Sequence, residues 1–63
     1  MKIKIDVTTS ESLPPEKIRN TIIRVVKTAI DVSDGLTTDV SVTECLKTLD
    51  GKVVGWVELN TEP

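Results

Sequence analysis

Sixty-three residues, with eight Lys and Arg against ten Asp and Glu, describe one small and mildly acidic domain of net charge −2, unlike the basic composition of a dedicated nucleic-acid binder. A single Cys45 excludes an intrachain disulfide, and with no His a zinc site would have only carboxylates and one thiolate to draw on, so no metal or cofactor is expected. Oligomerisation, or docking on a larger partner, is what remains to stabilise so short a sequence.

The first predicted element is a strand over residues 2 to 8. Ile3, Ile5 and Val7 alternate with Lys2, Lys4, Asp6 and Thr8, the period of a strand with one dry face and one wet face. This charged start lacks the apolar core of a secretory signal, and no run approaches the length of a membrane span, so a soluble cytoplasmic protein is expected. The lone thiol fits a reducing compartment.

Residues 15 to 32 form the only segment long enough for a substantial helix. Ile18, Ile22, Val25, Val26, Ala29 and Val32 share one stripe at about 100° per residue, and Ile23 and Ile30 widen it to roughly half the circumference. Pro15 suits the first helical position, Leu13 and Ile18 have the spacing of a hydrophobic staple, and Pro14 is a poor N-cap because it offers no side-chain oxygen. Gly35, in Ser33-Asp34-Gly35, suits the left-handed helix end. Ile23 and Ile30 lie where a small sheet does not reach. Either the 33-to-39 loop covers them, through Leu36, or they extend a second contact surface.

Two strand-like runs, 40 to 49 and 52 to 61, flank Asp50-Gly51, a dipeptide that suits a two-residue type I′ hairpin turn. That turn places Leu49 opposite Lys52, Lys47 opposite Val54, Cys45 opposite Trp56 and Thr43 opposite Glu58. The other face then carries Val42, Leu46, Val53, Val57 and Leu59 toward the helix, joined by Ile3, Ile5 and Val7. Glu44 is the misfit on that face, to be explained by a place at the sheet margin or by a bulge. Residues 61 to 63 are expected to fray. The fold class is α+β: a single domain over 1 to 63 of order β-α-β-β, one helix on one face of a mainly antiparallel three-stranded sheet in the order 1-3-2.

No arrangement of residues carries catalysis. Cys45 has no His to activate it and reads as a small side chain beside Trp56. Gly35, Gly51 and Gly55 have local roles and form no phosphate loop. The chain is therefore expected to be no enzyme.

Two surface features remain. Val54, Trp56, Cys45 and Leu49 are expected on the sheet face away from the helix, where nothing in the chain is expected to cover them, and Trp is enriched at binding hot spots. A homodimer through this outer face or a foreign protein would use them. Charge is also segregated. Residues 15 to 31 hold four cations against two acids, a balance of +2, whereas residues 32 to 63 hold Asp34, Asp39, Glu44, Asp50, Glu58 and Glu62 against two Lys, a balance of −4. Alternate strand residues lie about 6.6 Å apart, close to successive phosphates, so strand carboxylates can imitate a nucleic-acid backbone.

The leading expectation is a non-catalytic interaction protein, a small acidic inhibitor of the kind viruses encode, which occupies the basic surface of a nucleic-acid-binding protein. Its expected partner-binding residues are Trp56, Val54, Asp34, Asp39, Glu44, Asp50 and Glu58. The alternative is a small dimeric nucleic-acid-binding protein that uses Lys17, Arg24 and Lys27. In element order alone the chain resembles the dodecins, flavin-binding assemblies, and that likeness would imply a small oligomeric ligand binder.

Overall fold

The computed structural model describes residues 2–62. Its elements are β1 (Lys2–Thr9), α1 (Pro15–Val32), β2 (Ser41–Lys47) and β3 (Val53–Glu62). α1 lies against a three-stranded antiparallel sheet of order β1-β3-β2, the predicted α+β architecture. Thr61 and Glu62 do not fray: Thr61 pairs with Ile3 and Glu62 with Lys2. Pro63 lies outside the described residues.

The helix bounds follow from the punctuation of the sequence. Pro15 opens α1, and Pro14 as N-cap makes no side-chain bond. At the other end the Ser33 N–H makes the last helical bond, to the Ala29 carbonyl at 3.1 Å, and the Gly35 N–H donates to the Ile30 carbonyl at 2.9 Å, the 6→1 bond of a Schellman-type end. The residue that first turns left-handed is Asp34 rather than Gly35, and φ is positive at three positions in succession: Asp34 (51°), Gly35 (77°) and Leu36 (68°). Only the glycine takes this conformation without a steric penalty. Ser33, 2% exposed, offsets the strain, its hydroxyl donating to the Ala29 carbonyl and accepting the Leu36 N–H at 2.9 Å.

The hairpin differs from expectation at its tip. From Ser41 to Leu46 the register is as predicted, with Cys45 opposite Trp56 and Leu46 opposite Gly55. The turn is not type I′, because Asp50 keeps negative φ and only Gly51, at 87°, is left-handed. Instead the Gly51 N–H donates to the Thr48 carbonyl at 3.0 Å and the Thr48 N–H to the Lys52 carbonyl at 2.9 Å. Leu49, Asp50 and Gly51 thus form a three-residue loop, a type I turn followed by a left-handed glycine. The longer loop shifts the pairing so that Lys47 faces Val53, and a bulge between Leu46 and Lys47 absorbs the difference. It also reverses two expectations: Val53, assigned to the core, is 53% exposed, and Val54, assigned to the open outer face, is buried at 6%.

The core is Val25, Ala29, Leu46, Val57 and Leu59, with Leu13, Ile22, Val26, Leu36, Val40 and Val42 packed against it. α1 packs on β2 and β3 and barely touches β1. A helix about 10 Å wide covers two strands about 4.8 Å apart, and the third lies beyond it. Ile3, Ile5 and Val7 are consequently not core residues. They stand on the helix side of the sheet, opposite Thr61, Leu59 and Val57, but remain exposed.

Candidate partner-binding surfaces

The helix is rotated relative to its own apolar stripe. Its buried line runs through Thr21, Val25 and Ala29, while Ile18, Ile22 and Val26 are half-buried and Val32 is exposed. Thr21 is accommodated because its hydroxyl donates to the Lys17 carbonyl at 2.9 Å and accepts from Arg24 Nη2 at 3.3 Å. Arg24 Nε also meets Glu44 Oε1 at 3.1 Å, which turns this flank of α1 toward β2. By helical geometry the other flank, with Ile22 and Val26, turns toward β1.

An uncovered apolar surface results. Its floor is Ile3, Ile5 and Val7 of β1, and α1 rises beside it as a wall whose exposed Ile23 (44%) and Ile30 (42%) lie roughly 140–160° around the helix from Val25 and so point away from the sheet. Leu36 packs on the core, and Ile23 and Ile30 stay uncovered. Near the start of α1, Leu13, Pro15, Ile18, Arg19, Ile22 and Ile23 line an open depression of about 430 Å³. Scattered apolar side chains are ordinary on small proteins, whereas larger exposed apolar areas mark interaction sites.

The outer sheet face holds a smaller feature. Trp56 is 48% exposed, flanked by Thr8 on β1 and Cys45 on β2. Cys45 is exposed and in no disulfide, and Val54 does not join this patch. Next to it Asp6, Glu58 and Thr43 form a row, followed by Lys4, Asn60 and Ser41, with Lys2 opposite Glu62 beyond. Acids and lysines are therefore interleaved on this face.

The acidic residues singled out from sequence are not brought together. Glu58 stands on the outer face, whereas Glu44 is on the opposite one and bonded to Arg24. Asp34 and Asp39 lie in the loop between α1 and β2, at the end of the sheet away from Asp50 in the hairpin loop. Among the basic candidates, Lys17, Arg24 and Lys27 share the β2-side flank of α1 with Arg24 already engaged. No three His, Cys, Asp or Glu side chains are grouped as metal ligands among the described residues, and no helix is long and apolar enough to cross a membrane.

Asp50, in the hairpin loop, has a perturbed carboxyl. The Thr48 hydroxyl donates to its carboxylate, and this bond, helped by backbone N–H groups, holds its pKa below the ordinary aspartate value. A depressed folded-state pKa means that the turn gains stability above the unfolded pKa of about 3.9, and loses it as pH falls through the folded value. In an NMR titration Asp50 should titrate below a free aspartate, and Thr48→Val should bring it back up. An unchanged value in the variant would show that the Thr48 bond is not the cause.

Compared with protein-family models, curated proteins and solved structures, the chain matches none.

Proposed function

We propose that this chain is a non-catalytic protein-interaction module that acts by occupying the surface of another protein. The observation that carries this reading is the set of exposed apolar side chains on β1 and α1, Ile3, Ile5, Val7, Ile23 and Ile30, which no other described residue covers. Burying such a surface is favourable at about 25 cal/mol per Å², so contact with a protein supplies the coverage that the fold lacks. An inhibitor that imitates DNA phosphates has narrower support: Asp6, Glu58 and Glu62 on the outer face, offset by Lys2 and Lys4 on the same face. The geometry favours apolar docking over electrostatic imitation.

Capture of a partner by the immobilised chain, followed by elution with rising salt, separates the two. Apolar docking is expected to survive concentrated salt and to be lost in Ile23→Glu, which places a charge on the exposed wall while sparing the core. A partner that leaves at moderate salt and ignores Ile23→Glu would overturn this reading in favour of the acidic one, because exposed ion pairs are screened within about 10 Å at 0.1 M salt.

A further inference from the structure

The free edge of β1 is complementary to itself. Residues of an antiparallel ladder send both backbone groups to one side, alternating along the strand. The Ser10 N–H donates to the Val54 carbonyl at 2.8 Å, next to the Thr9–Gly55 pair, so the even-numbered residues of β1 are the ones bonded to β3. The Thr61 N–H bonded to the Val40 carbonyl at 3.1 Å agrees, since it commits the odd residues of β3 to β2. Ile3, Ile5 and Val7 accordingly point their N–H and C=O groups at the open edge. Natural edge strands are shielded by proline, bulges, short length or charged side chains; β1 runs eight residues in unbroken register with no proline, and its charges, Lys2, Lys4 and Asp6, are of both signs.

We infer that β1 pairs antiparallel with β1 of a second copy, about a two-fold axis through Ile5. In this register Ile5 faces Ile5 of the second copy, Ile3 faces its Val7, and Lys4 faces its Asp6. The odd residues with free backbone groups then exchange hydrogen bonds. The apolar row continues across the axis on the helix side, and two Lys–Asp pairs form on the outer side. Neighbouring registers fail on charge or on face. A centre at Lys4 sets Lys4 against Lys4, a centre at Asp6 sets Asp6 against Asp6, and a shift of one residue opposes apolar to charged side chains.

The product is a six-stranded sheet, β2-β3-β1 followed by its two-fold copy. Its two helices stand roughly four strand spacings, about 19 Å, apart. Helices in contact pack at 8–10 Å, so the apolar floor stays open and is doubled in width. Pairing therefore leaves room for the docking proposed above and does not rest on it. A dimer through the outer face has less to bury, with Val54 already inside and Trp56 flanked by Thr8 and Cys45.

Sedimentation equilibrium of the full chain up to about 1 mM tests the inference, because a weaker association carries under about 4 kcal/mol. A reversible dimer is expected. Lys4→Glu should weaken it at least tenfold by opposing Asp6, and the swap Lys4→Asp with Asp6→Lys should restore it. Ile5→Pro removes an N–H that β3 does not use and should abolish dimerisation, with circular dichroism reporting whether the monomer fold persists. A chain that stays monomeric at every concentration overturns the inference. So does a dimer that neither Lys4→Glu nor a folded Ile5→Pro weakens.

Discussion

Replacing Gly55 by Ala is expected to destabilise the fold by about 3 kcal/mol or more, at the severe end for overpacking. A Cβ at this position would lie 1.9 Å from the Thr8 carbonyl oxygen and 2.8 Å from both Thr8 C and Thr9 Cα. All three atoms are backbone, so no side chain can swing aside and the end of β1 must lift from β3. Urea unfolding gives the total loss, and faster amide exchange from Thr8 to Ser10 would place it at that end. Gly35→Ala is the internal comparison. It meets nothing within 4 Å, so only its positive φ of 77° resists substitution, at about 1 kcal/mol. If the two substitutions proved equally damaging, crowding by β1 would not be the reason for Gly55.

Gly55 also shows how far sequence reading reaches. From the pattern alone it is a glycine opposite Leu46, which is correct, but its close neighbour is the backbone of β1. That approach depends on how β1 docks, a tertiary fact with no local signature. The helix bounds, the strand order and the register from Ser41 to Leu46 were legible because each has a local cause: Pro15 at the first turn, a period of two in each strand, and a turn that sets pairing. The hairpin tip was not. Asp50-Gly51 serves both a two-residue and a three-residue loop, and the choice rests on Thr48, whose hydroxyl accepts the Lys52 N–H at 3.1 Å and donates to Asp50. One residue of loop length was enough to exchange the burial of Val53 and Val54.

The candidate surfaces were legible only in part. Alternation places Ile3, Ile5 and Val7 on the correct face, but it is silent on whether anything covers that face. The clue lay in a quantity that was visible: the breadth of the apolar arc on α1, with Ile23 and Ile30 outside the reach of the sheet. Charge counts misled more. The −4 balance of residues 32 to 63 suggested one acidic surface, yet its members lie on both sheet faces and at both ends of the sheet, because a sum over sequence ignores the alternation of strands.

The off-centre helix leads to the second large effect. Leu46→Ala is expected to cost about 2–5 kcal/mol, enough to unfold much of so small a domain, because Leu46 is 1% exposed between β3 and α1 in the core cluster. Ile5→Ala removes the same number of carbon atoms as Leu46→Ala, yet Ile5 is 39% exposed and faces no helix, so its loss should be nearer 1 kcal/mol. Urea midpoints of both variants, taken in dilute solution, would give that contrast. Equal effects would mean that α1 lies over β1 as well, and would remove the open floor on which the docking surface depends. Concentration adds a second reading of the same pair. If β1 edges join, unfolding must also separate the two copies, so the loss at Ile5 should grow with protein concentration while that at Leu46 keeps its intrinsic size.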